Sequence, residues 1–270
     1  MRVCKVAPAI FLAMSIVAAG CADLKGVNKF SVSGAQLTAQ PFPYSYGAYC
    51  FDSCYIYDTT KTVSHYPCDA SIAIRYDTAV VREAGKLSAY FTALARLSGS
   101  AEVINVDTLA GAVVAGTYGK LTISSTEASV ASGVATAIQD LATVRYKTKH
   151  LSANLHQYGS AVDSSLGSYI KHLEALKGQT VNLLIDLNGL LIYYRSQLPP
   201  GYPRFSVVYA YNEKIRDLTD KKLHFEKLIT QLDSVRSGYR VLVAGADDVR
   251  SKPLKTQLLS LVNNISYINK

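Results

Sequence analysis

Hydrophobic residues recur every three or four positions along most of the chain, and this spacing predicts helices rather than strands. The first such seam follows Asp69, a candidate helix N-cap, and ends before Gly99, a typical helix stop. One of its members, Glu83, is polar. The others are Ala73, Tyr76, Val80, Leu87, Tyr90, Leu94 and Leu97.

A second seam predicts an unusually long helix. Compatible spacing upstream extends it over 127–197, interrupted at most at Gly159, Gly167 or Gly178, which would make it about 105 Å long at 1.5 Å per residue. Its second half, VNLLIDLNGLLIYY, is apolar on more than one face, and this indicates a central position among other helices. The seam consists of Leu166, Tyr169, Leu173, Leu176, Thr180, Leu183, Leu187, Leu190 and Tyr194.

The prolines and glycine of residues 198–205, LPPGYPRF, end that helix and predict a tight turn. So short a connection places the next helix antiparallel to the one before it. Ser251, with Pro253 in the first turn, begins a last amphipathic helix over 251–268. The seam after the turn consists of Val208, Tyr211, Ile215, Leu218, Phe225, Ile229, Leu232, Val235, Tyr239 and Leu242.

Together these segments predict an all-α fold, an elongated antiparallel helical bundle with coiled-coil-like heptad seams over 69–270. Residues 101–137 differ from the rest because they are almost entirely Ala, Val, Gly, Ser and Thr. We expect a short, tightly packed helix with loops there, and a mobile apolar hairpin is the alternative. Such a hairpin resembles the tongue of α-helical pore-forming toxins, although its apolar centre, Leu109–Gly116, is too short to span a bilayer as a helix.

The first twenty residues have the three-part layout of a secretory signal peptide. Arg2 and Lys5 precede an apolar run from Val6 to Ala19, and the small residue Gly20 follows. The run is about fourteen residues long, whereas a membrane-spanning helix needs about twenty. We therefore predict that residues 1–20 are cleaved rather than kept as an anchor.

The end of this run, Val17-Ala18-Ala19-Gly20-Cys21, resembles the lipobox of bacterial lipoproteins. That family usually has Leu or Val where Ala18 stands, and an ordinary cleavage near the same place would leave Cys21 a plain thiol. The resemblance implies that Cys21 is diacylated and becomes the new N-terminus. Ala22, in place of the Asp that often retains such proteins at the inner membrane, implies the outer membrane, facing the periplasm. More broadly, the chain resembles helical lipoproteins of Gram-negative envelopes.

The segment between the anchor and the bundle predicts a tether followed by a loop. Residues 21–48 show no helical period, contain Pro41 and Pro43 and are rich in Ser, Gly and Ala, so we expect a lipidated flexible tether. Residues 49–68, YCFDSCYIYDTTKTVSHYPC, hold three of the five cysteines and are expected to form a loop.

The chemistry of Cys50, Cys54, Cys68 and His65 depends on the compartment. In the cytosol they would make an acceptable zinc set, but an exported chain matures under oxidising conditions, where disulfides form. We predict a bond from Cys68 to either Cys50 or Cys54, closing a loop of about fifteen to nineteen residues and stabilising the fold by roughly 3 kcal/mol. The third thiol would be buried or would pair between chains, which leaves a homo-oligomer open.

Charge and motifs exclude several classes of function. Removing residues 1–20 takes away Arg2 and Lys5, so the net charge falls from +8 to +6, and no run of five basic residues indicates nucleic acid. The Gly119-Lys120 pair lacks the rest of a phosphate loop, and neither a G-x-S-x-G nor an H-E-x-x-H motif is present. Asp186 and Glu83, the acids nearest the seams, fit roles in register or ion pairing. We predict no catalytic residue, cofactor or metal.

The expected function is therefore structural: a lipid-anchored periplasmic protein that docks against a protein partner in the envelope. Two alternatives stay open, a membrane-acting protein that uses 101–137 and a carrier of a small apolar ligand in the bundle core.

Overall fold

A computed structural model describes residues 24–60, 70–99, 133–138 and 147–267, and within these ranges the chain forms helices and no strand. Residues 133–138 are helical, and a short 3-10 helix, Ala246–Asp248, precedes the last long helix. The prediction of an all-α helical bundle is confirmed. The main helices are α1 (Lys25–Thr38), α2 (Tyr46–Thr60), α3 (Ala70–Ser98), α4 (Lys147–Gln197), α5 (Tyr202–Ala244) and α6 (Lys252–Tyr267).

The described residues fall into two compact units. The first unit lies within Met1–Ala39, Gly85–Leu166 and Asp233–Lys270, and the second within Gln40–Ala84 and Gly167–Leu232. The first unit includes α1 and α6, which pack against each other. The second includes α2.

Most members of the predicted seams are buried in α3, α4 and α5. In α3, Ala73, Val80 and the four apolar members from Leu87 to Leu97 are buried. In α4, the seven predicted members from Leu166 to Leu187, Thr180 included, are 2% exposed or less. Helix α4 continues through Gly159, Gly167 and Gly178 without a break.

The second apolar face of α4 is not buried as the sequence suggested. Ile185, Ile192 and Tyr193 are 64%, 68% and 56% exposed. The interpretation that this half of the helix is enclosed by neighbours is therefore wrong for the described residues. The spacing of apolar residues identifies the apolar faces of a helix, but a face is buried only where a neighbouring helix packs against it.

The turn between α4 and α5 matches its prediction. Gly201 has a φ of 135°, which an L side chain rarely adopts, so this position favours glycine. Helix α5 begins at Tyr202 and carries Pro203 in its first turn, where a missing N–H does not matter. Within the first unit α4 and α5 run antiparallel, since Gly159 of α4 lies against Val243 of α5, whereas Asp163, one turn later in α4, faces the earlier residues Arg236 and Arg240.

The predicted flexible tether over 21–48 is wrong, because α1 occupies much of it. Phe30 is fully buried, and Val27 is 1% exposed. The buried face also contains Gly26, Gly34, Ser31 and Thr38, small residues that period analysis does not count as apolar. The hydroxyls of Ser31 and Thr38 donate to the carbonyls four residues earlier, at 2.8 Å each, and so can be buried.

The predicted loop over 49–68 is also wrong for its first part, because Cys50 and Cys54 lie in α2. The backbone N–H of Ala48 donates to Ser45 Oγ at 3.0 Å. The N–H groups of Tyr46 and Gly47 donate to the Asp77 carboxylate at 2.8 and 2.9 Å. Three backbone N–H groups in the first turn of α2, which have no acceptor within the helix, are thus hydrogen-bonded, and Asp77 of α3 accepts from two of them.

Acid is expected to weaken the first unit through Asp163. Burial would raise the pKa of Asp163, but hydrogen bonds from Arg240 and Arg236, at 2.7 to 3.0 Å, outweigh burial and lower it. Because the pKa of Asp163 is lower in the folded state than the unfolded-state value of about 3.9, the ionised carboxylate stabilises the fold at any pH above that value. This stabilisation is lost as the pH falls through the folded-state pKa. Urea unfolding between pH 7 and pH 2 should show this loss. In Asp163→Asn we expect a drop of about 1–3 kcal/mol at pH 7 and a flatter acid limb; an acid limb identical to that of the wild type would contradict the assignment.

Candidate functional site: polar cluster and exposed apolar surface

The predicted lipid and disulfide sites lie mostly outside the described residues. These include Cys21, Cys68 and His65, and the side chain of Cys54. Cys50 is 7% exposed, and burial raises the pKa of its thiol, opposed by a hydrogen bond to Tyr46. Acylation of Cys21 and pairing of Cys68 with Cys50 or Cys54 both stay predictions.

The described ranges hold no group of three or more His, Cys, Asp or Glu side chains placed for a metal ion. None of the helices in the described part of the chain is long and apolar enough to cross a membrane. Of the 101–137 segment, only residues 133–137 lie within the described part of the chain. The packed-helix and hairpin interpretations of that segment therefore both stay predictions.

Glu83, the polar member of the first seam, belongs to a polar cluster in the second unit. Its Oε2 lies 3.6 Å from His172 Nε2, and the two side chains are 21% and 32% exposed. The Tyr76 hydroxyl lies 3.3 Å from His172 Nδ1, with the rings edge to face. Glu83 thus meets a histidine of the facing helix, and the cluster fixes the register of α3 on α4.

Tyr169 lies beside this cluster and is fully buried. Burial, with the charge of Glu83 nearby, raises the pKa of Tyr169 to about 12, so its phenol stays protonated at neutral pH. The hydroxyl has no hydrogen-bond partner among the described residues. Tyr239, in the core of the first unit, differs: its hydroxyl lies 2.9 Å from that of Tyr90, which donates to Asn154 at 3.4 Å.

The same substitution is expected to have opposite effects at these two buried tyrosines. Tyr169→Phe removes an unsatisfied polar group and should raise the free energy of unfolding, by about 1 kcal/mol. Tyr239→Phe breaks the pair with Tyr90 and should lower it by about 1–3 kcal/mol. Chemical denaturation of both variants measures the difference. Equal signs would contradict this account of the two hydroxyls.

A second polar group joins α2 to α5 within the second unit. The Asp52 carboxylate accepts hydrogen bonds from the Tyr44 hydroxyl and, at 2.7 Å, from Lys214 Nζ. Lys221 Nζ lies 4.7 Å from the centre of the Tyr44 ring. Burial and the Asp52 hydrogen bond raise the pKa of Tyr44. This network holds α2 in place and offers no open polar site.

Exposed large apolar side chains concentrate in the second unit. Of twelve such side chains among the described residues, Val32 alone belongs to the first unit, and it is 39% exposed. The other eleven are each more than half exposed. They are Phe51, Ile72, Ile74, Val81, Ile185, Ile192, Tyr193, Tyr202, Phe205, Tyr209 and Leu223.

Five of these side chains surround the end of the α4–α5 hairpin: Ile192, Tyr193, Tyr202, Phe205 and Tyr209. We call them the aromatic tip. Phe205 and Tyr209 stack with ring centres 6.2 Å apart, and Tyr193 contacts Tyr194 edge to face at 5.5 Å. Spacing predicted Tyr194 as a seam residue, but it did not indicate that the neighbouring side chains would be exposed.

An open cavity of about 410 Å³ lies in the first unit. Its lining includes Lys149, Asp247, Asp248 and Arg250, and Asp247 pairs with His156 at 2.8 Å. So charged a lining does not suit the apolar ligand that a carrier function would need.

Comparison of the chain with protein-family models, with curated proteins and with solved structures gives no match.

Proposed function

We propose that the protein is a lipid-anchored structural or accessory component of the cell envelope. Cys21 would hold it at the outer membrane, facing the periplasm, and the second unit would bind a protein partner. The anchor rests on the lipobox-like sequence before Cys21. The proposal of a protein partner rests on one observation, which is the concentration of exposed apolar side chains in one of the two units.

An exposed apolar set of this kind is typical of an interaction surface. Single exposed apolar residues are normal on any protein and would be spread over both units. Here Ile74 and Val81 of α3 lie seven residues apart, on one helix face, and are 66% and 56% exposed. We call this pair the α3 face and assign it to the protein partner.

Cross-linking in cells tests the proposal. The mature protein, purified after mild cross-linking, should carry an envelope protein with it. The double variant Ile74→Ser, Val81→Ser should lose this product, because it removes apolar contact without touching a buried side chain. Val32→Ser, an exposed apolar position of the first unit, is the matched control and should keep it. Recovery of the protein with nothing but itself, or a product that the α3 variant leaves unchanged, would count against the proposal.

A further inference from the structure

The end of the α4–α5 hairpin has a one-sided charge. From Leu187 to Asn212 the sequence contains two basic residues, Arg195 and Arg204, and no acidic residue. The same stretch holds five tyrosines and one phenylalanine. The nearest acids, Asp186 and Glu213, lie just outside it.

The aromatic tip is separate from the inward face of the same hairpin. On α4, Leu187 and Leu191 are 2% and 6% exposed, whereas Ile192 beside them is 68% exposed. On α5, Tyr202, Phe205 and Tyr209 follow one another at steps of three and four, which places them on one face of the helix. They are 81%, 67% and 59% exposed. The hairpin therefore has both a packed face and a second apolar face turned outward.

We propose that the aromatic tip binds a lipid surface with anionic headgroups. Tyrosine and other amphipathic rings concentrate at the boundary between headgroups and acyl chains, where the ring is apolar and the hydroxyl stays hydrated. Arg195 is exposed beside these rings and Arg204 is half-buried, and guanidinium groups bind phosphate oxygens well. The stretch 187–212 carries positive charge and no carboxylate, which complements an anionic membrane. This contact does not require acylation of Cys21, so it goes beyond the proposed function.

The chain has no tryptophan, so one substitution supplies a specific reporter. In the full chain, Phe205→Trp places the indole in the aromatic tip. Leu223→Trp places it at a 55% exposed position of the same helix outside the tip. Each variant is mixed with vesicles of phosphatidylglycerol and phosphatidylcholine carrying brominated acyl chains, and with vesicles of phosphatidylcholine alone. We expect a blue shift and bromine quenching for Phe205→Trp on the anionic vesicles, and neither for Leu223→Trp.

The arginines provide the charge test. Adding Arg195→Gln and Arg204→Gln to the Phe205→Trp chain should weaken tip binding to anionic vesicles by about 30-fold, since each basic residue near an anionic surface contributes about fivefold. The bound fraction is determined from quenching rather than sedimentation, so that an acyl anchor at Cys21 does not mask the result. Far-ultraviolet circular dichroism confirms that each variant is folded.

Several outcomes would overturn the lipid assignment. One is a Phe205→Trp emission that neither vesicle changes, or quenching equal to that of Leu223→Trp. Another is a blue shift that grows with protein concentration in the absence of lipid, which would assign the tip to a second copy of the chain. A third is a blue shift that appears only when solubilised envelope proteins are added, which would assign it to a protein. The two proposals can fail separately: if no cross-linked partner of the α3 face is found, the vesicle result for the aromatic tip is unaffected.

Discussion

Phe30→Ala is expected to lower the free energy of unfolding by about 3–5 kcal/mol. Phe30 has no exposed surface and meets Phe91 edge to face, with ring centres 6.0 Å apart. Truncation removes the buried ring and leaves a cavity that a close-packed core fills only in part. Urea denaturation followed by circular dichroism measures the change.

Val32→Ala is the matched control for this prediction, because Val32 lies two residues away on the same helix and is 39% exposed. It should change the free energy of unfolding by less than about 1 kcal/mol. If both variants were as stable as the wild type, α1 would not belong to the core, and the tether predicted for residues 21–48 would be the better description.

Gly238→Ala should also destabilise the first unit, by about 1–3 kcal/mol or more. A Cβ at this position would lie 2.5 Å from Phe30 Cε2 and 3.2 Å from Leu261 Cδ1, so α1 or α6 would have to shift. Intrinsic helix propensity alone would give the opposite sign, since alanine is favoured over glycine by about 1 kcal/mol in a helix interior. Thermal or urea unfolding determines which effect is larger.

Gly85→Ala separates these two contributions. A Cβ at Gly85 would meet nothing within 4 Å, and this variant should be as stable as the wild type or up to about 1 kcal/mol more stable. In the Phe30→Ala background, Gly238→Ala should cost much less than alone, because the clashing ring is gone. Additive effects of the two substitutions would contradict the close contact of α1 with α5.

The sequence predicted those elements whose buried side chains are long and apolar. The leucines of α3 and α4, from Leu87 to Leu187, reveal their helices by spacing alone, and Gly201 with its neighbouring prolines reveals the turn. Helix α1 was not predicted because four of its seven buried residues are glycine, serine or threonine. Such residues are buried through close backbone approach and through hydrogen bonds to the preceding turn, neither of which changes the hydrophobic pattern.

The candidate surfaces were harder to predict because they depend on which helices face each other. Glu83 was recognised as a polar residue in a seam, but its contact with His172 requires the register of α3 against α4. The same limit applies to the aromatic tip. The sequence VNLLIDLNGLLIYY has two apolar faces, and only the position of neighbouring helices decides that Leu187 is buried and Ile192 exposed.

The central claim, a lipid-anchored protein of the cell envelope, is tested most directly by the intact mass of the unreduced mature protein isolated from membranes. We predict a chain that begins at Cys21 and carries two or three acyl chains, with a mass two hydrogens lower for the bond between Cys68 and Cys50 or Cys54. An unmodified N-terminus, whether at residue 1 or at another cleavage site, with Cys21 a plain thiol, would contradict the claim.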